Sequence, residues 1–590
     1  MIFLGLTIQA WITVAVVLFI ILSQFVTKIP TDAVYLIAML VLVLTGVLDS
    51  TEVFTGLASP ATLFIIFFFV ITACLRNTGA LSWMTKKLFG KHRGNTESLL
   101  RMMIPAGIIS AFISNPSVGD IMYQPIADWS RKNRLAPSKF LLPVAYIIGL
   151  SGSCTIIGYP INLVVFSFCE NATGTHYNIF APLIGGLICT LVCIVYVILM
   201  QRRLPQCPDP QKAALNTEEY IVEMLVPTDN SAVFQTIQEL QLDQLSYGHL
   251  VSIVRFDNYV ISPVKPSEAV FGGDRLVFSG LIEPLLELRD RMGFASSNKH
   301  LFNLHENDGV KKNIQFFSIP PQSPLSGKRL IDTEFEDKHA VTLVALMRAS
   351  ERITTLPRET ELHTGDLLLF EGEKIKLSAF SNLLVPHQAP PIVQPSWRTW
   401  ASLAIVFLVV LLPALGVVSL LTAVFCATML LCGIKCCSRS QAWSSINWTI
   451  ITMMTGAFCI SAAMKDSGLA SNISDAITNL CGTNPMQATI VLTGSAILMT
   501  QFIFDASVIS VLIPIAIQLS ASLGVNPLPF AMAVMLGASC NFTTHISTAH
   551  MIPVLPIGGF KVSDITKFGL PLCLIMFVTI ILVVKLFYPF

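Results

Sequence analysis

The stretch that decides the fold reads Ser114-Asn115-Pro116-Ser117-Val118-Gly119-Asp120. It interrupts a long apolar segment with residues typical of turns and with one ionisable side chain. Bilayer hydrocarbon tolerates unbroken helices or closed barrels, so polar, unwound backbone there must be buried in protein or line a watery cavity. A second apolar run is interrupted by Phe504-Asp505-Ala506-Ser507 and closed by Pro514. Two interrupted segments at matching places in two halves predict a transporter's central site. The alternative is that they only kink ordinary helices.

Composition indicates a membrane protein. Of the 590 residues, 53% are hydrophobic and 12% are charged, whereas soluble domains carry roughly 25% charged residues. We therefore expect a mainly α-helical, polytopic membrane protein. Lys and Arg number 37 against 36 Asp and Glu, so the overall charge predicts no nucleic-acid polymer as a partner. The apolar run from Trp11 to Val26 has no basic leader and no small-residue cleavage site, which indicates a retained span rather than a signal peptide.

The cysteines are interpreted as small apolar residues. Most of the 14 lie within apolar runs, where a free thiol packs like a hydrophobic side chain. Cys432, Cys436 and Cys437 form a cluster, but no histidine or second cysteine pair completes a zinc-binding pattern in the sequence.

Charge and apolar patterning divide the chain into four parts. Long apolar runs fill the two ends, and charges, prolines and period-two alternation replace them in between. We expect a first membrane half at 1–203, two similar soluble domains at 204–295 and 296–395, and a second membrane half at 396–590.

Basic clusters set the expected orientation. Those at Lys86–Arg93, Arg131–Lys139 and Arg202–Arg203 are assigned to the cytoplasmic side. The chain between the first two clusters is too short for two full spans of ~20 residues each. A re-entrant hairpin with its tip at Ser114-Asn115-Pro116 fits, and the segment Gln487–Ser520 repeats the pattern from the outside. The two halves are thus expected to have inverted topology, with a pseudo-two-fold site at the midplane.

Each expected hairpin is followed by another broken span. These are Gly152–Leu163 in the first half and Gly537–His545 in the second. Glycines let the backbone unwind, and the freed carbonyls together with Ser, Thr and Asn oxygens can replace the hydration shell of a small hard cation. The N-termini of half-helices can hold an anion, and none of the four polar stretches contains Arg or Lys. The alternative is that the small residues only allow close helix packing.

Together these segments resemble the divalent anion/sodium symporter family of the ion-transporter superfamily, over both membrane halves. Ser114-Asn115 matches the start of its Ser-Asn-Thr hairpin tip, and Gly152–Leu163 is close to its Gly-Thr-Cys-Thr-Leu-Ile-Gly signature. Gly537–Phe542 and Gly558-Gly559-Phe560 fit its last broken helix and exit. The resemblance implies an inverted-repeat transporter, a homodimer, an elevator-type movement, and hairpin tips and broken helices that bind a dianion with sodium ions.

The chain also departs from that family. Pro116 replaces the tip threonine, Phe504-Asp505-Ala506 replaces the second Ser-Asn-Thr, and Ala549-His550-Met551 stands where the family has Gln-Thr-Asn. Losing tip hydroxyls and amides weakens the case for a dicarboxylate. Asp505 repels a dianion unless it is protonated or paired with a cation, so it is a candidate cation ligand or proton carrier. His545 and His550 are either titrating groups or hydrogen-bonded packing residues, and their spacing does not match a zinc hydrolase.

The candidate site follows from these segments. The expected substrate-binding residues are Ser114, Asn115, Pro116, Ser117, Gly158, Asn162, Asp505, Ala506, Ser507, Thr543, Thr544 and His545. The expected sodium ligands are Ser114, Asn115, Ser153, Thr155, Gly158, Asn162, Asp505, Ser539 and Asn541. We expect no catalytic residues, no enzyme activity and no cofactor apart from sodium as the coupling ion.

The soluble part repeats one pattern. Val251–Arg255 and Leu343–Arg348 each read as a strand carrying an arginine, and Gly273-Asp274 and Gly365-Asp366 each precede another strand. Both units resemble the TrkA C-terminal domain, a regulatory module that pairs and can bind small ligands, in some relatives cyclic dinucleotides. A regulatory nucleotide is therefore a candidate partner. The Gly-Asp pairs are expected to form turns rather than a binding site.

The predicted function is secondary active transport. We expect sodium-coupled uptake of a small divalent anion, sulfate or a dicarboxylate, regulated by the cytoplasmic insert 204–395, in a plasma membrane such as the bacterial inner membrane. The alternatives are a ligand-gated cation channel, which would need a filter of backbone carbonyls not evident here, and a proton-coupled carrier for a non-anionic solute.

Overall fold

The computed structural model describes most of the chain. Excepted are residues 1, 4–5, 27–30, 81–93, 208–218, 244, 246–247, 256–258, 297–312, 320–322, 324, 326, 334, 336–341, 349–350, 353–360, 364–365, 373–384, 387–395, 483, 545–547, 549 and 552. The chain forms two compact units. The membrane unit comprises Met1–Gln206, Ala389–Val554 and Lys561–Phe590, and the insert unit comprises Cys207–Gln388 with Leu555–Phe560.

The first half of the membrane unit starts with a short strand pair, Ile2–Phe3 (β1) and Leu6–Thr7 (β2). Its helices are α1 Ile8–Val26, α2 Thr31–Leu44, α3 Ser50–Leu57, α4 Pro60–Asn77, α5 Asn95–Ser110, α6 Asn115–Lys132, α7 Ser138–Ser151, α8 Pro160–Thr173 and α9 Leu183–Leu199. The insert contains one described α-helix, α10 Ile282–Met292. The second half contains α11 Trp397–Ala414, α12 Leu420–Gly433, α13 Arg439–Ser444, α14 Trp448–Asp466, α15 Leu469–Cys481, α16 Pro485–Thr500, α17 Asp505–Leu523, α18 Leu528–Ala538, α19 Val554–Gly558 and α20 Val562–Phe587.

Among the described helices, five are long and apolar enough to cross a bilayer: α4, α11, α14, α17 and α20. Their mean hydropathy over an 18-residue window runs from 1.2 to 2.7. Several shorter apolar helices of 10–17 residues accompany them, including α2, α9, α12, α16 and α18. The chain is therefore a mainly helical, polytopic membrane protein, as its composition predicts.

Helix positions repeat along the chain at a nearly constant spacing. Helices α16, α17 and α18 begin at residues 485, 505 and 528, each 390 positions after the starts of α5, α6 and α7 at 95, 115 and 138. Helices α11, α12 and α13 begin 389 positions after α1, α2 and α3, and α14 begins 388 after α4. Over these seven helices the membrane halves are thus two copies of one arrangement, whereas α20 at 562 begins only 379 positions after α9 at 183, so the copies differ in length beyond the breaks. Their inverted orientation stays a prediction.

Packing between the copies is reciprocal. Helix α2 packs against α14, and the repeat equivalents of these two helices, α12 and α4, pack against each other. Within each copy the first hairpin helix packs along the third helix, α5 on α7 and α16 on α18. This exchange of equivalent partners is what a pseudo-two-fold relation produces.

One helix crossing shows how the copies differ while keeping the same contact. A Cβ added to Gly107 on α5 would lie 3.1 Å from the Ile147 side chain on α7. At the equivalent crossing the large residue, Ile497, is on α16, and a Cβ on Gly537 of α18 would lie 3.6 Å from it. The glycine is thus on the first helix of the crossing in one copy and on the second helix in the other. Each crossing pairs one glycine with one isoleucine, so the summed side-chain volume is the same and the helices stay close.

The break in each hairpin lies earlier than the sequence indicated. We expected Ser114-Asn115-Pro116 to be unwound, but α6 begins at Asn115, and Pro116 occupies its first turn. Proline fits there because the first turn of a helix needs no amide donor. Asp505 likewise begins α17, and Pro514 lies inside that helix. The non-helical links are residues 111–114, here the first tip, and residues 501–504, the second tip.

The broken span of the first half is also shorter than expected. Gly152–Cys154 forms a 3₁₀ turn, and Pro160 opens α8, so Asn162 is helical. In the second half the connection from α18 to α19 runs from Ser539 to Pro553. We call residues 152–159 the first break and residues 539–553 the second break.

In its described part, the insert unit contains two five-stranded antiparallel sheets. The first is built from β3 Glu219–Leu225, β4 Gly248–Arg255, β5 Tyr259–Ile261, β6 Arg275–Leu281 and β7 Ala295–Ser296. The second is built from β8 Asn313–Ser318, β9 Thr342–Arg348, β10 Glu351–Arg352, β11 Leu367–Gly372 and β12 Val385–Pro386. Their strand orders, β5-β4-β6-β3-β7 and β10-β9-β11-β8-β12, correspond one to one. The assignment of these sheets to TrkA C-terminal domains stays a prediction.

Asp274 and Asp366, the aspartates of the two Gly-Asp motifs, make equivalent hydrogen bonds. Asp274 accepts from the backbone N–H of Phe271 at 2.9 Å, and Asp366 accepts from that of His363 at 2.7 Å. Arg255 donates to both carboxylate oxygens of Asp274, at 3.0 and 2.9 Å. That bond raises the pKa of the Arg255 guanidinium. In the first sheet this bidentate pair links the end of β4 to the beginning of β6.

Candidate functional site

The first tip is closed by a buried amide. The Ser110 hydroxyl donates to Asn115 Oδ1 at 2.7 Å and also lies 2.9 Å from the Ile148 carbonyl. Asn115 Nδ2 donates to the Gly149 carbonyl at 3.4 Å. Asn115 is fully buried, so both ends of its amide are used to fasten α6 to α5 and α7.

The first break folds its carbonyls around a glycine. A Cβ on Gly158 would lie 2.6 Å from the Gly152 carbonyl oxygen, 2.7 Å from that of Ala111 and 2.9 Å from that of Ser110. The Thr155 hydroxyl donates to the Ala111 carbonyl and accepts from the Gly158 N–H at 3.0 Å. Only glycine fits against these three carbonyls, so its lack of a side chain lets the first break pack directly on the first tip.

Asn162 completes this oxygen cluster from α8. Its Nδ2 donates to the carbonyls of Gly152 and Thr155 at 3.0 and 2.9 Å. Its Oδ1 is buried and has no hydrogen-bond partner among the residues that the structure describes. A buried carbonyl oxygen without a donor costs about 1–3 kcal/mol, and a cation or a hydrogen-bonding substrate would remove that cost.

The second tip is closed by a different amide. Gln501 Nε2 donates to the Cys540 carbonyl at 2.7 Å, and its Oε1 accepts from the Thr543 hydroxyl at 2.7 Å. The Gln501 carbonyl accepts from the Thr544 hydroxyl at 2.7 Å. Gln501 therefore ties the second tip to the second break, the role that Thr155 has in the first half.

Asp505 begins α17 at the position that Asn115 holds in α6. It is completely buried. Its Oδ1 accepts from the Ala506 N–H at 2.8 Å, and Oδ2 has no hydrogen-bond partner within the described part of the chain. A buried carboxylate oxygen of this kind calls for a cation or a proton.

The two breaks meet. The hydroxyls of Ser153 and Ser539 lie 2.7 Å apart. The Tyr146 hydroxyl on α7 donates to the Phe542 carbonyl at 2.7 Å, and the two rings make an edge contact at 5.0 Å. The polar segments of the two halves therefore touch at their breaks, and a shared site at the midplane stays a prediction.

Of the two histidines expected near the site, the structure describes only His550. His545 lies outside the described residues. His550 is buried, its Nδ1 has no partner among the described residues, and its ring lies against α7, with Nε2 3.0 Å from a Cβ placed on Gly149. His550 thus lies beside the backbone that holds Asn115, and its titration during transport stays a prediction.

The remaining expected residues line the tips and breaks. Ser114 and Ser117 share a hydrogen bond at 2.9 Å, and Ser507 bonds the Tyr35 hydroxyl at 2.7 Å. Asn541 Nδ2 donates to the Thr548 hydroxyl at 2.8 Å. The binding roles of all these residues stay predictions.

Sequence reasoning missed four residues that hold this region: Ser110, Tyr35, Thr500 and Gln501. Thr500 ends α16 as Ser110 ends α5, and the hydroxyl of each lies 2.9 Å from a carbonyl oxygen 38 residues later, that of Ala538 and that of Ile148 respectively. Aligning the two halves at the 390-residue spacing would have paired them.

Carbonyl, hydroxyl and amide oxygens dominate the site. Within the described ranges, no group of three or more His, Cys, Asp or Glu side chains could hold a metal ion. This donor set suits a weakly bound alkali cation better than a tightly held transition metal.

A helical membrane unit built from two copies, with paired hairpins and touching breaks, defines a polytopic membrane transporter. More narrowly, the chain belongs to the citrate transporter family, whose sequence profile matches residues 16–436 and 405–590.

Individual relatives agree with this class. An uncharacterised transporter of Synechocystis sp. is 26% identical, over 98% of this chain and 97% of its own. A putative sulfur deprivation response regulator of Chlamydomonas reinhardtii is 26% identical over 92% and 96%. Sodium/sulfate cotransporter 1 of the same alga is 23% identical over 54% of this chain and 38% of its own. The family and two of these three relatives are named as transporters, and the resemblance to sodium-coupled anion symporters is supported at the family level.

Proposed function

We propose that this protein is a sodium-coupled secondary transporter of a small divalent anion, sulfate or a dicarboxylate, and that the trivalent anion citrate is a further candidate substrate. The supporting names come from its family and its relatives: a citrate transporter family and a sodium/sulfate cotransporter. The proposal includes an elevator-type movement, a homodimer, a plasma-membrane location and regulation by the insert.

The observation that carries the proposal is the oxygen cluster at Gly158. Three carbonyls converge there, and Asn162 adds a buried oxygen without a donor among the described residues. Sodium is a hard cation that binds such oxygens, and its charge offsets the cost of bringing an anion into a site without basic side chains.

The anion is assigned to the helix starts. Helices α6, α8 and α17 begin at the tips and the first break, where their first N–H groups have no intrahelical partner. Each such terminus carries about half a positive charge. Substrate and sodium therefore bind together in this proposal, which makes each dependent on the other.

Uptake by the reconstituted protein tests the proposal. Proteoliposomes with an inward sodium gradient should accumulate radiolabelled sulfate or citrate with saturable kinetics, and replacing sodium with choline should abolish uptake. Purified protein should show a higher melting temperature with anion plus sodium than with either alone, because a ligand that binds only the folded state stabilises it. Single-channel currents, or uptake indifferent to both gradients, would overturn the proposal.

Asp505 supports a second candidate, proton coupling. Its buried Oδ2 without a described partner is a site for a proton as well as for a cation. In that case a pH gradient would drive uptake without sodium, and Asp505→Asn would uncouple transport from it.

A further inference from the structure

A cavity with three charged lining residues lies away from the candidate site. It has a volume of about 270 Å³ and lies between the end of α9 and the beginning of α20. Its polar lining is Arg203, Asp564 and Lys567, and its apolar wall includes Tyr196, Phe568 and Pro571. None of the contacts that hold the tips and breaks, as described above, involves the three polar residues.

The walls of this cavity are fixed by contacts of their own. The Tyr196 hydroxyl donates to the Phe568 carbonyl at 2.7 Å, and the two rings lie 5.3 Å apart. The Arg203 N–H donates to the Met200 carbonyl at 2.8 Å, and buried Leu204 follows it. The cavity therefore exists without a ligand to organise it.

Its charges favour an anion. Arg203 and Lys567 are both exposed, and within the described residues neither belongs to an ion pair. The Asp564 carboxylate accepts from the Lys561 N–H at 3.1 Å and so caps α20. Two cations against one carboxylate suit a phosphate, and the carboxylate favours a phosphate that carries an ammonium group over a bare dianion.

The surface next to the cavity is apolar and exposed. On α9, Val195 and Leu199 are 54% and 73% exposed. On α20, Leu570 and Leu574 are 55% and 65% exposed. These residues directly neighbour the lining positions along both helices, so an acyl chain can follow the helices while its headgroup occupies the cavity.

We propose that this cavity binds the phosphate headgroup of a membrane phospholipid, with Arg203 and Lys567 on the phosphate and an amino headgroup beside Asp564. The site is separate from the transported solute, and its test does not depend on transport.

Native mass spectrometry of the full-length protein tests the assignment. Detergent-purified protein is titrated with phosphatidylethanolamine, phosphatidylglycerol and diacylglycerol, the last of which lacks the phosphate. Retention of phosphatidylethanolamine should exceed that of diacylglycerol, and Arg203→Gln or Lys567→Gln should each weaken it about tenfold or more, as expected for a lost charge-assisted hydrogen bond.

Matched charge removals serve as controls. Arg202→Gln changes the neighbouring exposed arginine, and Lys585→Gln changes a lysine at the far end of α20; both should retain lipid as the wild type does. Equal retention by all four variants would overturn the proposal. A thermal-shift measurement with inorganic phosphate distinguishes a lipid headgroup from free phosphate. Stabilisation by phosphate with no retained lipid would overturn the lipid assignment.

Discussion

The two hairpins begin their second helices with different side chains at one repeat position, Asn115 and Asp505. Asn115 is held at both ends of its amide, by Ser110 and by the Gly149 carbonyl. Asp505 is held only through Oδ1, and its Oδ2 has no described partner. In the second half it is Gln501 that makes the hydrogen bonds fastening the tip.

The equivalent side chains of the two tips therefore have different roles within one repeated arrangement. In the first copy the tip side chain is part of the scaffold, and the unsatisfied oxygen belongs to Asn162 on α8. In the second copy a glutamine supplies the scaffold, and the tip carboxylate carries the unsatisfied oxygen. The comparison predicts that equivalent substitutions in the two copies have unequal effects.

The largest effect is expected for Gly158→Ala. Its Cβ would meet three carbonyl oxygens at 2.6–2.9 Å, and backbone atoms cannot move aside as a flexible side chain can. Overpacking costs typically 1–3 kcal/mol, so we expect a lower melting temperature and complete loss of uptake. Gly433→Ala is the control, since a Cβ there has nothing within 4 Å. Wild-type uptake by Gly158→Ala would remove the oxygen cluster from the site.

Asn162→Ala should abolish uptake while the protein stays folded. The substitution removes two hydrogen bonds to carbonyls of the first break together with the unpartnered Oδ1. We therefore expect it to weaken cation binding more than it lowers the stability of the fold. Uptake of labelled anion and size-exclusion profiles check this. Asn171→Ala, at an exposed position of the same helix, should transport normally. Equal uptake by both variants would contradict the assignment.

Exchanging the two tip side chains tests whether their roles differ. Asp505→Asn keeps the shape but removes the charge, so we expect a change in sodium or pH dependence of about tenfold with little change in stability. Asn115→Asp instead loses the bond to Gly149 and buries a second carboxylate, and should reduce the melting temperature. Dependence of uptake on sodium concentration and on pH measures both.

The control for this exchange is Asp475→Asn on α15, because that carboxylate is exposed. It should leave sodium and pH dependence unchanged. An unaltered profile for Asp505→Asn would remove Asp505 from coupling and leave the two tips functionally equivalent.

The smallest effect concerns the contact between the copies. Ser153→Ala and Ser539→Ala each remove one hydroxyl of the 2.7 Å pair, and a neutral hydrogen bond contributes about 0.5–1.5 kcal/mol. A double-mutant cycle of melting free energies should therefore give a coupling of about 1 kcal/mol. Strict additivity would show that the breaks do not depend on each other.

The sequence alone predicted the membrane class, a separate unit between the two membrane halves and the polar segments, because composition and interrupted apolar runs can be recognised without knowledge of contacts. The position of the breaks was wrong by a few residues. Pro116 and Asp505 look like helix breakers inside a run, but both are favourable in a first turn, and the sequence pattern does not state where that turn begins.

The fastening residues were missed for another reason. Gln501 and Thr500 are ordinary polar residues beside a conspicuous motif, and their importance comes from carbonyls of Ala538 and Cys540 that approach only in the fold. Gly158 was predicted as a ligand, whereas its observed contribution is the absence of a side chain where three carbonyls converge.

The near-constant spacing of helix starts limits where residues can be inserted into the chain. Residues added inside either copy would displace helices from their partners in the other, whereas the insert, Cys207–Gln388, is joined at the seam where one copy ends and the next begins. Length is tolerated there because it changes no helix's neighbour. The seam is thus the place where an additional domain can be gained, exchanged or lost while the membrane helices keep their neighbours.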